Sequence, residues 1–249
     1  MKKCAPLSCC AIFAHFNSSV DHSSRNLYLD TMNWSPQRRN VRMRTLPYDS
    51  WHVTWKLALV NVIVFLMTSV SQNLEIHLAM IPSCILNGWV WQFVSYMFVH
   101  SGVEHIFWNM FSLLMFGIPV ENQLGSSEFL LAYLLTGVFS GVVSFLCYLL
   151  AGVNVMLVGA SGAIFGVMVL FAVFYPRARI FVFGLIPVKA PLLIIIYTAI
   201  ELSSQLFGYG GNVAHLTHLA GALGAYLYCL VRLRINPAKV FRYYLHNDY

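Results

Sequence analysis

The segment FLLAYLLTGVFSGVVSFLCYLL, residues Phe129–Leu150, is interrupted by no polar residue types other than threonine and serine. An apolar run of about 20 residues matches the hydrocarbon thickness of a bilayer when it is helical. The whole chain is 59% hydrophobic and only 10% charged. Soluble domains carry about 25% charged residues, so this composition excludes a large soluble domain and predicts a polytopic membrane protein.

Five further apolar stretches predict an all-α bundle of six membrane-spanning helices. The six stretches run over residues 53–71, 103–120, 129–150, 157–175, 190–207 and 213–231. Pro176 ends the fourth stretch, and Pro191 suits the first turn of the fifth. We expect a six-span domain at 51–234, preceded by a disordered cytoplasmic extension at 1–50 and followed by a short cytoplasmic tail at 235–249.

The distribution of basic residues predicts the orientation of the bundle. All 15 Lys and Arg residues lie before or at the start of the first span, between the fourth and fifth spans, or after the sixth. The loops on the other side, 72–102, 151–156 and 208–212, contain none, so the positive-inside rule places both termini in the cytoplasm. The net charge of +6 accordingly indicates topology and anionic lipid headgroups, not nucleic acid. The long outer loop contains Trp89 and Trp91, and we expect it to be partly embedded and helical.

Four polar side chains fall at nearly one depth on three predicted helices that run from outside to inside. Counted from the charged inner end of each helix, Ser161 and His105 lie roughly 24 Å, His218 roughly 21 Å and Asn109 roughly 18 Å above the inner boundary. Hydrocarbon penalises polar groups that lack partners. A shared level on separate helices therefore indicates a functional cluster.

Ser161 lies between Gly159 and Gly162 at the predicted start of the fourth helix. Glycines permit a tight turn into a helix and a close approach of backbones. Backbone N–H groups of a first helical turn lack acceptors and carry the positive end of the helix dipole, so they can stabilise an oxyanion. An isolated serine in a membrane helix more often bonds its own backbone, but the flanking glycines favour a nucleophile.

His218 is the predicted partner of Ser161. Gly221 shares its helix face, and Gly162 and Gly166 form a GxxxG pattern on the fourth helix, so the two backbones can approach closely. A histidine bonded between helices is the structural alternative. Because no acidic residue falls at matching depth on these helices, the pattern favours a Ser-His dyad over a Ser-His-Asp triad.

Other polar residues have less specific interpretations. His105 and Asn109, at i and i+4, share one face and either hold helices together or donate to an oxyanion. His215 either orients the dyad or lines a wet cavity. Glu201 is expected to be a packed carboxyl group with a hydrogen-bond partner, and His100 to lie near the mouth of the site.

Metal chemistry is not indicated by the sequence. No HExxH motif occurs, and the spacing of His100, Glu104 and His105 does not fit HxxEH. The six cysteines form no CxxC pair. We expect neither a metal site nor a cofactor.

Over roughly residues 53–232, these motifs resemble the rhomboid family of intramembrane serine proteases. HIFWN, His105–Asn109, is similar to the HxxxN of the family's second helix. GASG, Gly159–Gly162, is similar to the GxSG nucleophile motif, and HLAG, His218–Gly221, to the HxxG of the last helix. VENQLG, Val120–Gly125, is similar to the turn that follows the second helix.

The resemblance implies specific roles for these residues. Ser161 would be the nucleophile and His218 the general base and acid, with His105, Asn109 and the Ser161 N–H stabilising the oxyanion. Substrates would be single-span or polytopic membrane proteins, entering laterally from the bilayer near the fifth helix and cleaved within transmembrane segments. Because the bare six-span form is similar to bacterial members, we expect a plasma-membrane location. The oligomeric state is left open.

Two positions depart from the family pattern. Gln92 follows Trp91 where the family has arginine, and Thr217 precedes His218 where alanine is usual. The rival interpretation is a catalytically inactive rhomboid-like protein that binds or escorts membrane proteins. Such relatives lack the serine or histidine or carry a proline beside the serine, whereas Ala160 precedes Ser161 here, so the protease is favoured.

Overall fold

The computed structural model describes residues 45–182, 185–207 and 212–246. Most of the predicted extension, residues 1–44, and the last part of the predicted tail, residues 247–249, lie outside the described residues.

Apolar helices occupy all six predicted positions, with short helices in the outer loop. Four of the segments, Val53–Val70, Val103–Leu124, Ser126–Leu150 and His215–Leu233, are long and apolar enough to cross a membrane. The all-α membrane bundle is thereby confirmed. In chain order the elements are α1 Val53–Val70, α2 Gln72–Leu78, α3 Pro82–Leu86, α4 Gln92–Ser95, a 3₁₀ turn Tyr96–Phe98, α5 Val103–Leu124, α6 Ser126–Leu150, α7 Ser161–Phe174, β1 Arg179–Val182, β2 Ile186–Lys189, α8 Ala190–Phe207, α9 Asn212–Tyr228, a π-helical turn Cys229–Leu233, and α10 Pro237–His246.

Helix α7 is the core of the bundle. Every residue of α7 except Ser161 and Phe165 is buried, and the helix packs against α5, α6, α8 and α9. A helix that is apolar on all sides must be removed from water, and here the surrounding helices enclose it. The two exceptions are four residues apart, so they lie on one face of the helix.

The fourth apolar stretch begins four residues before its helix does. The stretch starts at Leu157, whereas α7 begins at Ser161, where the glycine pattern places the start. Leu157 instead forms a two-residue bridge with Met80 of the outer loop, with N–H···O distances of 2.8 and 3.0 Å. Gly159 has a φ of 117°. This left-handed conformation favours glycine and separates the extended segment from the helix.

Helices α7 and α9 meet at two glycines. A β-carbon placed on Gly221 would lie 1.9 Å from the carbonyl oxygen of Gly162. The backbones of the two helices are therefore in direct contact, as small residues at this crossing predict. Gly166 has a different neighbour from the one predicted, because its α-carbon faces Thr136 of α6.

The outer loop is partly helical, as predicted, and Gln92 anchors it. Gln92 is fully buried. Its Oε1 accepts from the Ile81 N–H at 3.0 Å, and its Nε2 donates to the Ile76 carbonyl at 3.0 Å. Beside it, the Trp91 indole donates to the carbonyl of His77 at 2.9 Å. The amide thus joins distant turns of the loop at the position where the family has an arginine.

Buried carboxylates connect the inner ends of the helices. Glu121 accepts hydrogen bonds from the N–H groups of Val53, at 2.6 Å, and Thr54, at 2.9 Å, so it caps the start of α1. These N–H groups have no acceptor within the helix. Glu128, fully buried, pairs with Arg232 at 3.1 Å and ties α6 to the end of the sixth span.

Residues 45–50, which we assigned to the extension, lie against this end of α6. The Leu46 N–H donates to Glu128 at 2.8 Å, and the Ser127 N–H donates to Asp49 at 2.9 Å. Hydrogen bonds from Ser127 hold the pKa of Asp49 below its ordinary value. The carboxyl end of the chain also contains a helix, α10, where we expected only a short tail.

A short antiparallel hairpin joins α7 to α8, although the sequence prediction contained no strand. Arg179 pairs with Lys189, and Val182 pairs with Ile186. β-branched residues in both segments favour extended backbone. The hairpin leads directly into α8, which begins at Ala190 as predicted.

We predict that Gly221→Ala lowers the free energy of unfolding by about 3 kcal/mol or more, at the upper end of the usual cost of overpacking a core. The added methyl group would meet a backbone carbonyl that cannot move away. Thermal unfolding in detergent measures the loss. Gly224→Ala is the matched control on the same helix, because its methyl group would meet the Phe139 ring, which can shift. Equal midpoints for the two variants would contradict the backbone contact.

We also expect Gln92→Leu to loosen the outer loop. The change leaves the Ile81 N–H and the Ile76 carbonyl without their partner, at a cost of about 1–3 kcal/mol. Limited proteolysis of the loop and the thermal midpoint report the effect. The exposed Gln72→Leu in the same loop is the control. If both variants behave like the unaltered protein, Gln92 does not anchor the loop.

Candidate active site

Ser161 is the first residue of α7, as the glycine pattern predicts for a nucleophile. Its side chain is half-buried, on the one face of α7 that is not fully covered. The N–H groups of this first turn have no acceptor within the helix and carry the positive end of its dipole. The hydroxyl therefore lies beside ready-made donors for a negatively charged oxygen.

Gly159 brings His105 and Ser161 together. A β-carbon placed on Gly159 would lie 2.8 Å from His105 Nε2 and 3.8 Å from Ser161 Oγ. Both atoms therefore adjoin the same glycine, from α5 and α7 respectively. A side chain at position 159 would clash with the His105 imidazole and would also strain the backbone, because the φ of Gly159 is positive.

The tautomer of His105 follows from its neighbour. Ser101 Oγ lies 3.0 Å from His105 Nδ1, and the Ser101 backbone N–H contacts the same nitrogen at 3.4 Å. Because a backbone N–H can only donate, this longer contact favours the tautomer with an accepting Nδ1 and the ring proton on Nε2. The nitrogen that adjoins Gly159 and Ser161 is thus an N–H donor.

Asn109 lies one turn after His105. It is buried, and its Nδ2 donates to the His105 carbonyl at 2.8 Å. The amide nitrogen carries two protons, so one remains for another acceptor. Both residues line a surface cavity of about 440 Å³, together with Ser101, Gly102, Glu104 and Trp108.

His218 is placed by the glycine contact between α7 and α9. It precedes Gly221 by three residues, and Gly221 contacts Gly162, the residue after Ser161. The His218 ring stacks on Phe165 with centroids 4.6 Å apart and planes 6° from parallel. Phe165 is one turn after Ser161 on the same face of α7, so the imidazole lies one turn below the serine.

Within the part of the chain that the structure describes, no hydrogen bond joins Ser161 Oγ to His218. Hydrogen bonds between a nucleophile and its base are often long in the absence of substrate and shorten in the complex. The His218 ring instead lies on Phe165, one turn after the serine.

A carboxylate that the sequence argument missed contacts His218. Glu201 Oε1 lies 3.0 Å from His218 Nδ1, and Glu201 Oε2 bonds His215 Nδ1. We had excluded an acidic partner because the helices of the motifs carry none at this depth; α8 supplies it instead. Counting from Lys189 at the inner end of α8 would have placed Glu201 roughly 18 Å above the inner boundary, at the level of the cluster. The expectation that Glu201 is a packed, hydrogen-bonded carboxyl group was correct.

His100 is a buried neighbour of His105. It is 3% exposed, and the two ring centroids are 5.1 Å apart. Burial lowers the pKa of His100 to about 4, so the ring is neutral at physiological pH. It adds no positive charge beside the donor nitrogen of His105.

Thr217, the residue that departs from the family pattern, holds α9 against α6. It is buried, its hydroxyl lies 2.8 Å from the Ser144 hydroxyl, and its carbonyl accepts from Ser140 at 2.5 Å. The hydroxyl therefore has a structural partner next to the catalytic candidates. Among residues 45–182, 185–207 and 212–246, no group of three His, Cys, Asp or Glu side chains is arranged to hold a metal ion.

Comparisons with known proteins show the family to which the chain is related. The Rhomboid domain family model matches residues 87–235. The chain is 34% identical over 145 residues to Rhomboid-like protein 11, chloroplastic, of Arabidopsis thaliana, covering 53% of this chain and 49% of that protein. It is 30% identical over 143 residues to Putative rhomboid protease YdcA of Bacillus subtilis, covering 57% and 67%. Rhomboid protease GluP of Bacillus subtilis is 36% identical over 84 residues, covering 34% and 16%.

The chain thus spans about half the length of the chloroplast relative and about two thirds of the first bacterial one. The family match covers more than half of the chain, including all the residues of the candidate site. Together with the apolar helix bundle, it shows that this multi-pass membrane protein belongs to the rhomboid family.

Proposed function

We propose that the protein is an intramembrane serine endopeptidase that cleaves transmembrane segments of single-span or polytopic membrane proteins. The observation that carries this proposal is the placement of three side chains, from three helices, around the first two turns of α7. Ser161 Oγ and His105 Nε2 adjoin Gly159, and His218 stacks one turn below the serine. Nucleophile, oxyanion donor and base are the parts that acyl transfer requires.

The reaction has two steps. Ser161 Oγ attacks the scissile carbonyl carbon while His218 Nε2 takes the hydroxyl proton, and the carbonyl electrons move to the oxygen. The Ser161 N–H, His105 Nε2–H and Asn109 amide stabilise that oxyanion. His218 then returns the proton to the leaving amine, and water hydrolyses the acyl-enzyme. Gly159, Gly162 and Gly221 supply the close backbone approaches on which this geometry depends.

The substrate must present an extended peptide bond. In an α-helix each carbonyl is hydrogen-bonded and shielded by side chains, so a helical segment must unwind before Ser161 can reach it. Helix-destabilising residues near the scissile bond lower that cost. We therefore expect cleavage at weakly helical ends of transmembrane segments.

We assign the protein to a plasma membrane with both termini in the cytoplasm. The confinement of all 15 Lys and Arg residues to one predicted side supports the orientation. The choice of membrane rests on the similarity of the six-span form to bacterial members. Reactivity of cysteines introduced at 152 and 239 with a membrane-impermeant reagent tests this orientation in intact cells.

We predict that Ser161→Ala and His218→Ala each abolish cleavage of a model single-span substrate in liposomes. Each change removes one of the two groups that make and break the acyl bond. A fluorophosphonate probe should label the unaltered protein and His246→Ala, but not Ser161→Ala. The matched controls are Ser69→Ala and His246→Ala, because both side chains are exposed and bond only their own helix.

Cleavage that survives both Ser161→Ala and His218→Ala would contradict the mechanism. An unaltered protein that binds the substrate without cleaving it and resists the probe would favour the escort function instead.

His105→Ala and Asn109→Ala should lower kcat about 10²- to 10³-fold, the usual effect of removing one oxyanion donor. Steady-state kinetics in liposomes measure the loss, and the thermal midpoint shows whether the fold is retained. The exposed His246→Ala is again the histidine control. Unchanged kcat in both variants would exclude a role for His105 and Asn109 in catalysis.

A further inference from the structure

Glu201 of α8 connects two histidines of α9 beside the candidate nucleophile. Its Oε1 lies 3.0 Å from His218 Nδ1, and its Oε2 bonds His215 Nδ1. The three side chains are mostly buried, with 13% of Glu201, 16% of His218 and 18% of His215 exposed. The contact links a third helix to the base that the proposed reaction uses.

We propose that Glu201 is a positioning residue, which selects the tautomer of His218 and stabilises its charged form during catalysis. Glu201 thereby extends the Ser161–His218 pair to a triad, and His215 holds the carboxylate in place. This inference rests on the proposed function, because it assigns Glu201 to the same reaction.

The contact with Glu201 determines the tautomer of His218. An ionised carboxylate can only accept hydrogen bonds, so the contact requires a proton on His218 Nδ1. In a neutral imidazole the other nitrogen then carries the lone pair. His218 Nε2 is therefore the basic nitrogen, as removal of a proton from Ser161 requires.

The two histidines of the site are thus set in opposite tautomers. Ser101 donates to His105 Nδ1, which leaves an N–H at Nε2. Glu201 accepts from His218 Nδ1, which leaves a lone pair at Nε2. One Nε2 is a donor for an oxyanion and the other is a base. Each assignment comes from a neighbour outside the motif in which the histidine lies.

Glu201 also stabilises the positive charge that His218 acquires during the reaction. When His218 takes the serine proton it becomes an imidazolium, and a carboxylate 3.0 Å from Nδ1 stabilises that charge without taking the proton. The interaction is strong because the surroundings are apolar and only a small part of either side chain meets solvent. The same carboxylate holds the ring while the proton is returned to the leaving amine.

His215 completes the arrangement by occupying the second carboxylate oxygen. Because His215 and His218 are three residues apart on one helix, both can reach the same carboxylate. With both oxygens engaged, the carboxylate cannot rotate away from His218 Nδ1. The orientation of the base then depends on α8 as well as on α9.

The test compares Glu201→Gln and Glu201→Asp with the unaltered protein, purified at full length and reconstituted in liposomes with a model single-span substrate. The concentration of active sites is counted by fluorophosphonate labelling at completion. Glutamine is isosteric but offers an N–H₂ group that can favour the wrong tautomer. We expect kcat to fall by up to about 10⁴-fold, the loss seen when the carboxylate of a triad becomes an amide, while KM changes less than about 3-fold.

Glu201→Asp separates charge from packing. It retains the carboxylate on a shorter side chain, so it should recover at least about 10-fold of the kcat lost in Glu201→Gln. Ser203→Ala on the same helix is the control, because this exposed hydroxyl bonds only the Ala199 carbonyl, and its kcat should be unchanged.

A spectroscopic readout tests the tautomer without relying on turnover. In protein labelled with ¹⁵N-histidine, the His218 ring, assigned through His218→Gln, should show the Nδ1–H form in the unaltered protein. The proportion of that form should fall in Glu201→Gln. The same Nδ1–H proportion in both proteins would overturn the proposal.

The kinetic outcomes separate this inference from the function on which it rests. If Ser161→Ala is inactive while Glu201→Gln keeps its kcat per labelled site, the protease stands and the positioning role is wrong. A Glu201→Gln variant that loses only folded protein, with kcat per site unchanged, overturns it equally. If the unaltered protein cleaves no better than Ser161→Ala, the proposed function itself fails, and the role of Glu201 fails with it.

Discussion

The direct contact between the backbones of α7 and α9 determines the rest of the structure. Gly221 faces the Gly162 carbonyl so closely that a methyl group would lie 1.9 Å from the oxygen. This contact places His218 against Phe165, one turn after Ser161, in a helix that is buried almost throughout. Because lipid offers no hydrophobic force between apolar helices, close packing at small residues must supply much of the attraction.

Hydrogen bonds and an ion pair between polar side chains hold the surrounding helices in place. Glu121 caps α1, Glu128 pairs with Arg232, Gln92 joins turns of the outer loop, and Thr217 binds α6. Each would be costly in an apolar medium without its partner. The fold therefore combines a small-residue contact at its centre with satisfied polar contacts at its periphery.

The site itself is assembled from four helices that are distant in the sequence. His105 comes from α5, Ser161 from α7, His218 from α9 and Glu201 from α8. The neighbours of the two imidazoles, Ser101 and Glu201, assign them opposite proton positions. The proposed mechanism uses this difference, because it assigns one imidazole the role of donor and the other the role of base.

The sequence alone determined the class of protein and the positions of its apolar helices, because runs of apolar residues and the placement of Lys and Arg are local properties. It also identified Ser161, His105 and His218 as residues at one depth, since depth can be counted along each helix. The apolar stretch alone did not separate residues 157–160 from α7, because Leu157 pairs with Met80, a non-local contact that a run of apolar residues does not reveal. Nor did it connect Glu201 to His218, or show that Gln92 and Thr217 take structural roles. Those pairings depend on which faces of separate helices meet, and only the packing of the tertiary structure decides that.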